Sequence, residues 1–358
     1  MELAPGFVKL QTLKKKKKQS GQVLVMRLSS MGDVVMATAA LAPLKAAGLK
    51  ISFVTKRAFA PLLLGHPDLH YVYVFDKKEG EAAAREQFFQ WYQSQQFDFV
   101  LDLQDSWRTW SWRGRLRRHA RVVVARKERL REWLILFGRL GRWFGFGRGG
   151  RARKFRRAAE DLLSAAGKFP VVSGPLTSLA VTEAEKQSVK GLIPQGEFAA
   201  FLPGSAWKGK EWPYFPELAG VVARKVPIVA LGAEKDLACD EIALQGRAIG
   251  SVSLRGRTNL RQSMAVVAQA KWVIGNDTGM LHVAEALGRD VAMLEGPTHS
   301  YLGFSPYRPR SLLLGLDLFC RPCSKSGRFC PRFGKRKCMA GLSVQAVTEK
   351  LRAWGLPC

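Results

Sequence analysis

The sequence predicts an α/β protein made of two successive doubly wound halves, each a parallel sheet flanked by helices. Three observations predict it. Short apolar runs alternate with longer helical stretches along the chain. Several of those runs open into loops bearing Gly, Ser or Asp that lead into a helix. The alternation pauses over 167–179, where Pro, Gly, Ser and Thr gather, and then restarts. At 358 residues the chain can build two domains with full cores.

Residues 1–20 read as a basic, disordered tail containing Lys14 to Lys18. Val23–Leu28 is a buried-strand pattern that runs into Ser29-Ser-Met-Gly-Asp33 and a helical segment, Val34–Ala47. Ile51–Val54, Tyr71–Phe75, Phe99–Leu103 and Val122–Ala125 read as further strands, with helix over Gly80–Gln95. A helix over Lys154–Ala166 precedes the boundary. The second half gives strands at Glu197–Leu202, Pro227–Leu231, Ser251–Leu254, Lys271–Ile274 and Val291–Leu294, with helices at Pro216–Arg224 and Arg261–Ala270. The expected division is 21–170, 171–342 and a last helix within 343–358.

The net charge of +28 draws polyanions: nucleic acid, an anionic membrane face or a phosphorylated substrate. More than half of it lies in residues 107–157, with eighteen Arg or Lys, two acids, five Trp and four Phe. Glu128–Phe144 there has the spacing of an amphipathic helix, with Leu130, Trp133, Leu134, Phe137 and Leu140 on one face. Such a segment suits an anionic membrane, a nucleic acid or a solvated arginine face over an ordinary core. No nucleic-acid module signature accompanies it, so nucleic acid is the less expected partner. No apolar run approaches the ~18 residues of a spanning helix, and no secretory signal pattern follows the lysines. The expectation is a cytoplasmic protein, peripheral on the inner face of the inner membrane.

Three loops carry candidate chemistry. Gly32 and Asp33 follow the first strand, where a sheet's C-terminal crevice lies, and Asp33 is either a helix cap or a functional carboxylate. Ser205 and Lys210 sit in a glycine-containing loop after a strand, where a lysine can neutralise phosphate. Asp277, Thr278 and Gly279 lie between a strand and a helix that opens near Met280. Free N–H groups and the helix dipole make such a junction an anion site, and its glycines allow positive φ and close approach. His282, one turn on, is a core histidine or a phosphate donor. Cys320, Cys323, Cys330 and Cys338 cluster, with zinc-like spacing only in the first pair. A structural zinc site and free thiols or a disulfide both stand, and the surrounding arginines and lysines are expected to favour thiolates.

Four stretches together resemble glycosyltransferase family 9, the lipopolysaccharide heptosyltransferases. They are Arg27-Leu-Ser-Ser-Met-Gly-Asp-Val34, Leu202-Pro-Gly-Ser with Lys210-Glu-Trp-Pro213, Gly275-Asn-Asp-Thr-Gly-Met-Leu-His282, and Cys320-Arg-Pro-Cys323 with Cys330-Pro331 and Cys338-Met339. Asp102-Leu-Gln-Asp105 is similar to the family's segment after a strand of the first domain. The resemblance implies a GT-B fold of two Rossmann-like domains, with the C-terminal helix returning to the first. It implies inverting transfer of heptose from ADP-heptose to the inner core of lipopolysaccharide, an anionic, lipid-linked saccharide, with no cofactor required for catalysis; the alternative is a related GT-B transferase with another nucleotide-sugar or anionic glycolipid acceptor. Asp33 matches the catalytic base, Lys210 the donor-phosphate lysine, and Asp277, Thr278, Gly279 and His282 the pyrophosphate loop. Ser205 and Glu234 are further diphosphate and ribose contacts, and Gly32, Asp105 and Arg108 stand on the acceptor side. The rival reading is a binding protein on the same scaffold whose basic segment holds nucleic acid or lipid without catalysis.

Overall fold

The computed structural model of the chain describes residues 21–137, 140–324, 326–328, 330 and 336–358. The expected tail, 1–20, and part of the cysteine-bearing stretch lie outside them. The chain divides into two units: one holds residues up to 127 together with 152–180, the other 128–151 together with 181–358. The expectation had the chain pass from the first domain to the second near 170. The structure instead gives 128–151 to the second unit.

In the first unit the strands are β1 (Gln22–Met26), β2 (Lys50–Lys56), β3 (Leu69–Phe75), β4 (Phe99–Asp102) and β5 (Arg121–Val124). They pair in parallel in the order β3-β2-β1-β4-β5. Val23 to Met26 are fully buried, as expected of a central strand covered on both faces. The helix expected over Val34–Ala47 is divided into α1 (Met31–Ala37), a 3-10 turn at Thr38–Ala40 and α2 (Leu41–Ala46). Pro43 explains the break, because a ring without an N–H fits the first turn of a new helix better than the middle of an old one. Beyond α3 (Glu81–Ser94) comes α4 (Trp107–Leu116), a helix hidden in the sequence by its arginines. Thr109, Trp112 and Leu116 form its buried stripe, and the Trp112 ring lies 5.1 Å from Phe88 and 5.2 Å from Phe75.

The long amphipathic helix expected over Glu128–Phe144 is also shorter. It is α5 (Arg129–Leu136), with a separate turn, α6 (Gly141–Phe144). Glycines at 138 and 141 make a continuous helix costly. Then α7 (Gly150–Ser164) runs through the basic stretch.

The second unit's strands are β6 (Ala199–Leu202), β7 (Ile228–Ala230), β8 (Val252–Ser253), β9 (Trp272–Asn276), β10 (Val291–Leu294) and β11 (Leu312–Leu314), the last not expected. Their order is β11-β10-β9-β6-β7-β8, again parallel. Counted from its own first strand, each sheet runs 3-2-1-4-5, the second adding a sixth. This is the doubly wound order whose direction reverses between the first and fourth strands. Side chains alternate between two cores: Phe201, Ile274 and Leu294 join one, and Leu202, Val273 and Met293 the other. Helix α8 (Glu183–Ser188) precedes the sheet; α9 (Phe215–Val222), α10 (Ala238–Gln245), α11 (Leu260–Gln269) and α12 (Gly279–Ala286) complete the windings. After α13 (Lys337–Ala340), the C-terminal helix α14 (Val344–Ala353) buries Val347 and Leu351 in the Phe201 core. The Trp272 indole donates to Gly355 O at 3.1 Å, tying down the residues beyond it. The expectation sent this helix back to the first domain; the structure groups it with the second unit.

Candidate functional sites at two switch points

Each unit presents polar side chains at its own switch point, the loops after the first and fourth strands. In the first unit these are Arg27–Asp33 after β1 and Leu103–Ser106 after β4. Gln104 Oε1 accepts from Leu28 N at 3.0 Å, which stitches the two loops together. Gly32 and Asp33 fall in the first turn of α1. Asp33 Oδ2 receives the Ser30 amide at 3.2 Å, the Ser30 hydroxyl at 2.9 Å and the Arg27 guanidinium at 2.8 Å. Burial presses this carboxyl toward neutrality, but Arg27 and the Ser30 bonds outweigh burial and hold it below the usual carboxylate range. Asp33 is therefore both a helix-start partner and an ionised carboxylate. All three contacts fall on Oδ2, so Oδ1 is the oxygen left to take a proton. Arg27, quoted in the motif but given no role there, is the group that sets this charge.

Asp105 and Arg108 are engaged locally. Asp105 has φ +40°, a left-handed conformation that Asp tolerates. Its carboxylate takes Arg113 at 2.6 Å and the Lys127 amide at 2.8 Å, while Arg113 also pairs with buried Asp102 at 2.9 Å. These bonds fix the loop after β4. The Arg108 guanidinium pairs with Glu81, which this contact and Lys77 hold down at about 2.

In the second unit the switch point lies between β6 and β9. Lys210 Nζ meets Asp277 Oδ2 at 2.7 Å, and the Thr298 hydroxyl donates to the same oxygen at 2.6 Å. His282 Nε2 is 3.9 Å from Asp277 Oδ1, and both are buried. Burial again works against the Asp277 charge, and Lys210 and His282 override it, leaving the carboxyl below its ordinary range. Thr298 was missed in the sequence because nothing local pointed to it; it follows β10, the next strand over. Asn276 was missed too. Its amide nitrogen donates to Pro203 O at 2.5 Å and its oxygen accepts from Trp212 N at 3.1 Å, locking the loops after β6 and β9 at a fixed spacing.

Thr278 is the N-cap of α12, yet its hydroxyl makes no capping bond and is buried without a partner. A buried hydroxyl in that state costs about 1–3 kcal/mol unless a ligand completes it. Neither Gly275 nor Gly279 adopts the positive φ the sequence allowed. Gly275 belongs to β9, where a Cβ would stand 2.7 Å from Leu202 Cβ, so this glycine serves strand packing. Gly279 is the first residue of α12. The Ser205 hydroxyl accepts from Trp207 N at 3.3 Å, and its carbonyl accepts from Lys235 at 3.1 Å. Glu234 is exposed in the loop after β7, the strand beside β6.

The cysteines are free thiols in this structure. Cys323 Sγ donates to Cys320 O at 3.1 Å. The expectation that nearby cations favour thiolates is overturned at two of them. Burial, with the neighbouring thiols, pushes Cys323 up to about 12, and burial raises Cys338 against the opposing effect of Arg321. Among the described residues no group of three or more His, Cys, Asp or Glu is placed to hold a metal. Arg321 itself is spent on buried Glu295 at 2.7 Å.

With this geometry in view, comparisons with known proteins fall in one place. Residues 160–331 match the model of glycosyltransferase family 9 (heptosyltransferase). That span holds Ser205, Lys210, Asp277, Thr278, His282 and Thr298 but not Asp33. The lipooligosaccharide heptosyltransferase 2 of Haemophilus influenzae is 29% identical over 151 residues, 39% of this chain and 44% of that protein. This chain thus aligns with under half the length of that relative. The lipopolysaccharide heptosyltransferase 1 of Pseudomonas aeruginosa is 25% identical over 93% of this chain and 97% of its own length. The solved E. coli ADP-heptose lps heptosyltransferase II superposes with a TM-score of 0.68 at 21% identity, covering 93% of this chain and 98% of that one. The fold is GT-B, two Rossmann-like domains, and residues 160–331 are similar to glycosyltransferase family 9.

Proposed function

We propose that this chain is an inverting heptosyltransferase of lipopolysaccharide core biosynthesis that takes heptose from ADP-heptose. The observation that carries the reading is the donor-side cluster: Lys210 held on Asp277 by a 2.7 Å pair, beside the unpartnered Thr278 hydroxyl at the start of α12. A diphosphate satisfies all of these at once. Its oxygens accept from the Thr278 hydroxyl and from the free N–H groups of the first turn of α12, and its charge meets Lys210. The relatives support the donor and acceptor classes, since their names specify ADP-heptose and lipopolysaccharide.

The chemistry follows from charge. The acceptor hydroxyl attacks the anomeric carbon, its proton passes to Asp33 Oδ1, and the bond from that carbon to the diphosphate oxygen breaks. Displacement from the opposite face inverts the anomeric centre. Asp33 is suited to this because Arg27 keeps it ionised at neutral pH. The departing ADP carries charge that Lys210 and the α12 N-terminus stabilise in place. Glu234 and Ser205 are assigned to the ribose and diphosphate, and Gly32 to the acceptor side. Asp105 and Arg108 are assigned to shaping that side through the bonds described above. The acceptor is lipid-linked, and we place the enzyme at the cytoplasmic face of the membrane that carries it.

The test is thermal stabilisation by ADP, GDP, UDP and CDP, followed by turnover of ADP-heptose with core acceptors. A ligand that binds only the folded state raises its stability with saturation. ADP is expected to give the largest shift. Preference for another diphosphate would change the donor, and no response to any of the four would remove the reading.

A further inference from the structure

The segment 128–151 is firmly seated in the second unit. Phe146 N donates to Tyr301 O at 2.9 Å, Arg151 N to Gly303 O at 3.1 Å, and Arg148 to Pro306 O at 3.1 Å and Ser311 O at 2.7 Å. Both of its acids are consumed. Glu128 pairs with Arg131 at 2.8 Å, and buried Glu132 pairs with Arg151. The segment carries six arginines against these two acids.

The outward surface of this seated element is apolar. In α5, Glu132 and Ile135 face inward. Leu130, Trp133 and Phe137 follow at intervals of three and four residues, so they share the opposite face. They are 72%, 54% and 72% exposed, and Trp143 in α6 is 75% exposed. The ordinary amphipathic pattern is turned inside out: the buried face carries the carboxylate and the open face carries the rings. Contiguous exposed apolar surface of this kind marks a binding surface.

We propose that the outward face of α5, together with Trp143 of α6, forms a docking surface for an anionic lipid bilayer. Leu130, Trp133, Phe137 and Trp143 enter the headgroup boundary, and the arginines meet lipid phosphates. Indole rings favour that boundary because one edge is apolar and the other donates a hydrogen bond. The charge complements the lipid, since the sequence of this segment sets six arginines against two acids. A nucleic acid fits less well, because Leu130 offers a base no ring to stack on. No helix among the described residues is long and apolar enough to cross a membrane, so the contact is made at the surface. The proposal deepens the lipid-linked acceptor of the proposed function and rests on that reading for its role; its test needs no turnover.

The purified full chain is sedimented with vesicles of phosphatidylcholine alone or mixed with phosphatidylglycerol, at low and high salt. The expected result is binding to the anionic vesicles with a blue shift of tryptophan emission. The triple variant Leu130→Ser/Trp133→Ser/Phe137→Ser should lose affinity on the order of tenfold or more. Trp143→Ala should lose less, and both variants should keep the wild-type thermal shift with ADP, showing that they fold. Equal binding by wild type and triple variant overturns the proposal, as does wild-type binding that high salt abolishes in full. Loss of duplex DNA binding by the variants with vesicle binding intact would transfer the surface to nucleic acid. Vesicle binding as expected, with no ADP shift in the wild type, would keep the docking surface and discard the donor assignment.

Discussion

The two switch points share one topology and differ in how their polar groups are used. At the first, between β1 and β4, the carboxylates are nearly saturated: Asp33 by Ser30 and Arg27, Asp105 by Arg113 and the Lys127 amide. At the second, between β6 and β9, one carboxylate gathers Lys210 and Thr298 while the adjacent Thr278 hydroxyl has nothing. A saturated loop holds one group in a set charge state, which a base needs. An unsaturated loop waits for an anion, which a donor site needs. Under the proposed function the same strand order supports opposite tasks, because function lies in the loops and not in the sheet.

The largest way to break this contrast is Asp33→Asn. It should cut turnover by roughly 10²–10⁴-fold, the usual worth of a positioned base, while the ADP thermal shift stays intact. Near-normal turnover would remove Asp33 as base. Next is Lys210→Ala, which strips the partner from buried Asp277 and should cost about 3–5 kcal/mol of stability along with most ADP affinity. Adding Asp277→Asn should restore the stability, since the uncompensated charge is gone, but not the ADP binding. Recovery of both would show that Lys210 acts on the fold alone.

A pH measurement sharpens the comparison. Buried Glu285 accepts from the Tyr307 and Arg308 amides and from the Ser311 hydroxyl, yet burial outweighs these and raises it to about 7. A carboxyl raised in the folded state contributes stability that is full below its unfolded value. That stability is lost as pH rises through about 7. Denaturant titrations from pH 4 to pH 8 should therefore show a decline, shared with Glu295, which burial also raises to about 7, and Glu285→Gln should remove up to about 3 kcal/mol of it. Asp33 has the opposite sign. Its lowered carboxyl stabilises the fold above the ordinary Asp range and loses that effect only as pH falls below it. The smallest loss is expected of Thr278→Val. Removing an unpartnered buried hydroxyl should leave the ligand-free protein no less stable, and up to about 1–3 kcal/mol more stable as the desolvation cost is relieved, while the ADP shift shrinks. A loss of stability without loss of ADP binding would return Thr278 to a capping role.

Much of this was legible in the sequence. The central strands of both sheets stood out because burial on both faces makes their residues uniformly apolar, as at Val23–Met26 and Val291–Leu294. Asp33, Lys210 and Asp277 were legible because loops after strands of a parallel sheet sit where ligands do. What stayed hidden has physical reasons. Helix α4 was masked because most of its residues face water, leaving only Thr109, Trp112 and Leu116 as an apolar stripe. Strand β11 was missed because three residues give too little periodicity to read. Thr298 and Asn276 act through partners far along the chain, which no local pattern reveals.

By itself the sequence determined the alternation of strands and helices, the positions of the chemical loops and the charge that awaits a polyanion. These are properties of neighbours along the chain: apolar period, turn residues and side-chain charge. Only the tertiary structure decided which groups are spent and which are open. It buried Cys323 and Cys338 so that thiols win over thiolates, used the capacity of Asp105 on its own loop, left the Thr278 hydroxyl unmatched, and turned Trp133 and Phe137 outward. Each outcome depends on desolvation and on partners brought together by folding, and neither is a property of sequence spacing.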